Sequence, residues 1–298
     1  MKLGKLGVWT IFDNKTAAES AALVKRIEQW GYSAVWMGEA FGRDILAYSA
    51  WLLANTSVLN IASGIANIYA RDPMAMVGGQ LGLNEQSGGR FLLGIGVSHQ
   101  SIVADMRGHA YGKPIETMRN YLAAMKNAKY FAPLPAEKPK TVLAALGSQM
   151  LALSRNDADG AHTYNVSQAH TAQARQILGA ERLLCVEQKV ILETNPERAR
   201  DAARKVLALY LSAPNYLNNW RRMGFNDDDF ANGGSDRLID DTVAWGDQSA
   251  IIKRIEQHWE AGADHVCIQS IDPNNPTNAI GISNVDEKLL ENLARTIG

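Results

Sequence analysis

From end to end the chain alternates between short apolar runs and longer segments of helical periodicity, and this alternation limits its fold more than any other feature. Leu6 to Phe12 reads as a strand. Thr16 and Glu19 then form a capping box, each satisfying a free backbone N–H of the other. Leu23, Ile27 and Trp30 follow at helical spacing, and Gly31 stops the helix. Ala34–Met37 starts the next apolar run. The unit recurs. Asn60–Ile65 reads as a strand, and Asp72 caps a helix with Pro73 in its first position. That helix ends at Gly88-Gly89, and Phe91–Gly96 is the following strand. Later, Asn195-Pro196 opens a helix running to about Leu211. Asp247 caps another that ends near Gly262, before the strand His265–Ile268.

Eight such strands begin near residues 6, 34, 60, 91, 141, 160, 184 and 265. Strand, helix and strand in alternation imply right-handed crossovers and a parallel sheet. Eight units favour an α/β fold of the closed (β/α)8 TIM-barrel type, with a doubly wound open sheet as the alternative. The 298 residues fit one such domain over 1–298. Two segments break the rhythm. Residues 130–140 hold three prolines and read as an extended linker. Residues 213–246 are an insertion before the eighth strand: Asn215–Met223 reads as a polar-aromatic helix and Asn226–Gly234 as an acidic, glycine-ended turn. This insertion either covers the barrel mouth or pads the outer wall.

Composition excludes several classes. Lys and Arg number 30 against 31 Asp and Glu, so no broad basic field points to nucleic acid or an anionic membrane. The chain is 46% hydrophobic, enough for a large core, yet no apolar run approaches the roughly 20 residues of a membrane span. The first residues carry no apolar leader segment, so a cytoplasmic protein is expected. Cys185 and Cys267 both lie in apolar runs and read as buried thiols. The six histidines are scattered without ligand spacing, so no metal site is expected.

In a barrel, chemistry belongs to the loops that follow the strands. After the second strand stands Glu39, which either contacts a cofactor or substrate, caps the next helix, or pairs with Arg43. After the third, Ser63-Gly64-Ile65-Ala66-Asn67 combines small residues, which let a flat ring approach, with an amide that both donates and accepts. After the fourth, Gly94-Ile95-Gly96-Val97-Ser98-His99 holds two of the three glycines of a dinucleotide fingerprint. Its Ser98 and His99 suit hydrogen bonding or proton transfer, or else a helix cap and a surface imidazole. After the fifth, Gly147-Ser148 opens a helix and presents free N–H groups to an anion, as ordinary strand-to-helix turns also do. Trp9, Phe12, Phe41 and Tyr69 either line an apolar pocket or pack a lid.

Taken together, Gly64–Pro73, Gly88–His99, Ala144–Gly147, Asp159–Tyr164 and Ala261–Val266 resemble the luciferase-like monooxygenase superfamily, closest to its coenzyme F420-dependent oxidoreductase branch. The resemblance implies a non-proline cis peptide at Gly64-Ile65, backing the cofactor ring. It implies further cofactor contacts from Asn67, Val97 and Ser98, and a phosphate site at Gly147 and Ser148. Glu39 falls at an acidic position near the cofactor. Several relatives carry a histidine directly after that acid; this chain has Ala40. His99 is the replacement that position and chemistry offer, so Glu39 and His99 are the expected catalytic pair. The implied reaction is hydride transfer between F420 and a small organic substrate. The alternatives are a monooxygenase using reduced FMN and a non-catalytic flavin-binding barrel. A homodimer is expected by the same resemblance.

Overall fold

The computed structural model describes residues 1–39, 42–279 and 281–297. Among the described residues there are ten strands: β1 (Leu6–Thr10), β2 (Ala34–Met37), β3 (Asn60–Ser63), β4 (Ala66–Asn67), β5 (Phe91–Gly96), β6 (Thr141–Ala144), β7 (Gly160–Thr163), β8 (Leu183–Leu192), β9 (Val243–Gly246) and β10 (His265–Ser270). Pairing runs β10-β1-β2-β3-β5-β6-β7-β8, and β8 returns to β10, so eight parallel strands close a barrel. This is the (β/α)8 fold, and closure excludes the open sheet. β4 continues β3 after a two-residue interruption and pairs with β5.

The period of two along each strand divides the core. Trp9, Ala34, Trp36, Ala62, Leu92, Val142, Cys185 and Cys267 fill the barrel interior. Their neighbours Val8, Val35, Met37, Ile61, Leu93 and Ile268 face the helices. Strands buried on both faces must be apolar throughout, which accounts for their continuous hydrophobic runs. Lower in the barrel, Trp36 Nε1 donates to His265 Nε2 at 2.9 Å, and the Trp36 ring stacks on His162 at 4.5 Å. These two histidines fill space. Both cysteines are free and buried.

The helix starts follow their sequence signals. Thr16 and Glu19 form the reciprocal capping box, and Asp72, Asn195 and Asp247 each accept from a first-turn N–H. The region before the last barrel strand is organised differently from the reading above. The helix opened by Asn195 ends at Leu207, and a 3-10 turn, Tyr210–Ser212, follows it. Its buried face packs with Ile239 and Val243 outside the barrel. The short strand β9, which periodicity did not reveal, pairs with the far end of β8. The helix that returns the chain from this region is Gln248–Glu260, packed against β8, β9 and β10. The excursion both covers the mouth and pads the wall. Helix Pro214–Arg222 places Tyr216 and Trp220 against Leu146 and Tyr164 at the strand ends. Among the described residues no helix is long and apolar enough to cross a membrane, and no three His, Cys, Asp or Glu side chains could hold a metal ion.

Candidate active site at the barrel mouth

The site is built around the interruption between β3 and β4. The Gly64-Ile65 peptide is cis. Ser63 Oγ donates to the Gly94 carbonyl and accepts from the Gly94 N–H, both at 2.8 Å. A Cβ on Gly94 would lie 2.0 Å from the Ser63 carbonyl oxygen, and one on Gly96 would lie 2.7 Å from Ile65 Cδ1. Both glycines of Gly94-Ile95-Gly96 therefore exist to let the bulge press against β5. They are not part of a dinucleotide loop. Trp9 Nε1 donates to the Gly64 carbonyl at 3.2 Å and holds the bulge from the first strand.

Glu39 locks the opposite side. Its backbone N–H donates to the Ile65 carbonyl at 3.1 Å, and its Oε2 accepts from the Asn67 N–H at 2.7 Å. Arg71 forks onto both carboxylate oxygens and also reaches Asp44 at 2.9 Å. The Glu39 side chain is 4% exposed and that of Arg71 9%, so this ion pair is buried and bidentate. Glu39 thus pairs with Arg71, not Arg43, and the cap of helix Ile45–Ala54 is Asp44. Asn67 is buried; its Oδ1 accepts from the Tyr69 N–H at 2.9 Å. Ala40 and Phe41 lie outside the described residues.

The loop after β5 rises beside this platform. Val97 packs on the core. Ser98 sits at φ 55°, a left-handed conformation, with its carbonyl accepting from Tyr111 Oη at 3.3 Å. His99 lies under the covering helix: its ring centroid is 5.9 Å from that of Tyr216, and Asn215 hydrogen-bonds its side chain. Burial lowers the His99 pKa from its ordinary value, with Asn215 opposing, so the imidazole is neutral at pH 7.

After β6, Gly147 caps helix Ser148–Asp157 without any side-chain hydrogen bond, which leaves the first N–H groups free. Arg222, from the covering helix, brings Nη2 to 3.4 Å from where a Gly147 Cβ would stand. A glycine turn, unclaimed N–H groups and a guanidinium meet here, the groups an anion site is built from, and Arg222 Nη2 also donates to Asn219 Oδ1 at 3.2 Å.

The ends of β7, β8 and β10 carry a second cluster. Lys189 is 1% exposed. Its Nζ donates to Asn165 Oδ1 at 2.6 Å and Glu187 Oε1 at 3.2 Å, and lies 4.0 Å from the Tyr164 ring centroid and 4.9 Å from that of Tyr210. The Tyr164 and Tyr210 hydroxyls meet at 2.7 Å, and Tyr164 donates to Gln269 Oε1 at 2.9 Å. Trp220 Nε1 donates to the Asn165 carbonyl at 3.1 Å, fastening the covering helix to the same residue. Two clefts of about 440 and 330 Å³ lie on the outer wall and are lined by none of these groups.

The model of the family described as luciferase-like monooxygenase matches residues 4–265. The chain belongs to the luciferase-like monooxygenase family. That membership makes it an enzyme of the oxidoreductase class. A Mycobacterium tuberculosis protein assigned to the coenzyme F420-dependent oxidoreductases is 26% identical, with 88% of this chain and 92% of that protein covered. Two solved structures share the fold. The coenzyme F420-dependent tetrahydromethanopterin reductase of Methanopyrus kandleri has a TM-score of 0.75 at 17% identity, covering 99% of this chain and 98% of that one. The oxygenating constituent of 3,6-diketocamphane monooxygenase of Pseudomonas putida, in complex with FMN, has a TM-score of 0.63 at 13% identity, covering 89% of this chain and 91% of that one.

In this luciferase-like barrel the residues singled out from sequence assemble on one rim: Glu39, Gly64, Ile65, Asn67, Val97, Ser98 and His99 on one side, Gly147 and Ser148 beyond them. The aromatics divide. Trp9 holds the bulge. Phe12 is buried against Tyr48, and Tyr69 stacks on Tyr111 and accepts from the Gly112 N–H, so both are packing residues. Arg71 and Tyr164 stand in the family-like stretches without a role of their own there, and Arg222, Lys189 and Tyr210 carry no motif; the one signal for Lys189 is the polar triplet Glu187-Gln188-Lys189 inside an otherwise apolar strand.

Proposed function

We propose that this chain transfers a hydride between coenzyme F420 and a small organic substrate at the carboxyl ends of the barrel strands. The observation that carries the reading is the locked bulge: a flat Gly64-Ile65 surface held rigid by Trp9, Glu39 and Arg71, with an anion cradle at one end. The residues present fit a flat tricyclic ring with a phosphorylated tail. Gly64, Ile65, Asn67, Val97 and Ser98 would hold the ring, and Gly147, Ser148 and Arg222 the phosphate. The deazaflavin, when bound, supplies a hydride-carrying carbon and reacts poorly with oxygen.

The protein's own part is orientation and proton handling. Glu39 is fully engaged by Arg71 and Asn67, so it positions the platform. His99, neutral at rest, would take the substrate's proton in oxidation, and its protonated form would give one in the reverse direction. The F420 reading is supported by the names of the mycobacterial relative and the methanogen reductase. A second reading, an FMN-dependent monooxygenase, is favoured by the FMN-bound neighbour. Titration with F420 and with FMN, followed by fluorescence, separates them. Tight F420 binding with weak FMN binding is expected, and the reverse overturns the proposal.

We also propose a cytoplasmic homodimer. Helix Ile45–Ala54 carries no charged residue, helix Pro73–Ser87 carries one, Glu85, and Trp51 and Met74 project from them 43% and 55% exposed. Large apolar side chains left exposed on helices this poor in charge mark a surface that is covered, and a second copy is the partner this reading assigns.

A further inference from the structure

The cluster at the ends of β7, β8 and β10 is absorbed neither by the cofactor platform nor by His99. It adjoins the platform through one ring contact. Trp9, which holds the Gly64 carbonyl, has its ring centroid 5.0 Å from that of Tyr164. Tyr210 comes next, and Tyr216 meets it edge-on at 5.1 Å, so the wall is aromatic. Tyr164 and Tyr210 are half-buried, whereas Lys189 behind them is sealed.

We propose that the Tyr164–Tyr210 pair, backed by Lys189, is the recognition site for the hydroxyl group of an uncharged, flat alcohol substrate. This rests on the hydride-transfer reading of the barrel mouth. A phenol has one hydrogen. Tyr164 spends its hydrogen on Gln269 Oε1, so in the 2.7 Å contact Tyr210 is the donor. The Tyr210 oxygen is left as an acceptor, and its complement is a ligand that donates while bound; on oxidation the carbon-bound hydrogen leaves as hydride to the cofactor and the hydroxyl hydrogen leaves Tyr210 for His99, whose ring, like that of Tyr210, packs on Tyr216. Burial pushes both phenols up, so they remain protonated and carry no charge of their own.

Charge selects in the same direction. The charged side chains set against these rings are Glu187 and Lys189, and at 3.2 Å they cancel. The Lys189 ammonium is spent on Asn165 and Glu187 and touches no solvent, so it is not a ligand for an incoming anion. Its place under two ring faces instead fixes the tyrosines by cation–π attraction. A carboxylate or phosphate brought here would lose its hydration and meet a lone pair. A neutral aryl alcohol keeps one hydrogen bond and gains aromatic contact on either side.

The test uses protein saturated with whichever of F420 or FMN it retains, titrated calorimetrically with 4-methoxybenzyl alcohol, its methyl ether and 4-methoxybenzoate. The alcohol is expected to bind at least about tenfold more tightly than either the ether, which has no hydrogen to give, or the carboxylate. Tyr210→Phe is expected to bring the alcohol down to the level of the ether and to leave cofactor affinity as it was. Equal or tighter binding of the carboxylate overturns the proposal. So does equal binding of the ether, undetectable binding of the alcohol, or an alcohol affinity unchanged in Tyr210→Phe. The wild-type comparison decides the matter even if the variant does not fold. The cofactor reading fails separately, on the F420 and FMN titration, because the three probes discriminate with either cofactor in place.

Discussion

Asn67 gives its backbone N–H to Glu39 at 2.7 Å, tying the end of the second barrel strand to the far side of the bulge in the third. Through Arg71 the same carboxylate is joined to Asp44 and the next helix. Two successive strand-end loops therefore share one buried charge pair.

Glu39→Gln breaks that pair from one side and leaves Arg71 with Asp44 alone. A loss of about 3 kcal/mol in unfolding free energy is expected, with weaker cofactor binding, because removing one member of a buried ion pair strands the other. Arg71→Lys should behave similarly, since an ammonium cannot span both carboxylate oxygens in a fork. Denaturant unfolding with cofactor titration measures both. A Glu39→Gln protein of wild-type stability that binds cofactor but does not turn over would show that the carboxylate acts in the chemistry itself.

Arg222 offers a sharper probe of the cradle. Arg222→Ala should weaken binding of the phosphorylated deazaflavin by about tenfold or more, the scale of a lost charge-assisted hydrogen bond. Binding of the same ring without its phosphate should not change. If both forms weaken equally, Arg222 supports the covering helix and does not serve the phosphate.

His99 sets a pH expectation. Its pKa lies below the ordinary 6.5 because burial disfavours the imidazolium. When the substrate is being oxidised the neutral ring accepts the proton, so kcat/KM should rise with pH through that lowered pKa and level off before neutrality. In the reducing direction the limb should invert. His99→Asn should keep cofactor affinity and abolish the limb; a profile unchanged by the substitution would remove His99 from the proton path.

Stability should fall in mild acid. Burial holds His162 and His258 down at about 3 and His265 at about 4. Unfolded, each titrates near 6.5. Between those values the unfolded chain binds protons that the native chain refuses, so stability is full above about 6.5 and drains as pH falls toward the native values. The slope is up to about 1.4 kcal/mol per pH unit for each histidine. Urea unfolding at pH 7, 6 and 5 measures it, and a flat series would contradict the neutral, buried state of all three rings.

Trp51→Glu should convert a dimer to a monomer in sedimentation, at unchanged helicity. A wild-type chain that already sediments as a monomer ends that proposal.

The barrel was legible because its signals are local. Caps, glycine stops and apolar runs recur within each unit of the chain, and closure follows from their number. The site was legible only where it too was local. Strand-end loops announce Gly64, Asn67, His99 and Gly147, but the partners that give them meaning arrive from far away. Arg71 displaces the nearer Arg43 as the partner of Glu39 because the bulge turns it inward. Gly94 and Gly96 looked like half a nucleotide loop, when what they answer is a neighbouring strand pressed within van der Waals distance. β9 follows helix Asp236–Thr242 directly, with no glycine stop between them, so period does not separate it from the helix end. Tyr210 and Arg222 meet the rim only by way of the long excursion that follows the strand of Lys189, and no window along the sequence holds the three together.

One residue ties that excursion to the ends of two barrel strands. Asn165, in a left-handed conformation at φ 55°, offers its side chain to Lys189, its N–H to Glu187 and its carbonyl to Trp220. The ring platform, by contrast, is held by residues of the first five strands and their loops. On the proposed reading the ring platform and part of the substrate wall, Tyr210 and Tyr216, belong to different stretches of chain, so exchanging residues 193–247 for those of a relative, with Arg222 kept for the phosphate, should change what is oxidised while the ring platform stays as it is.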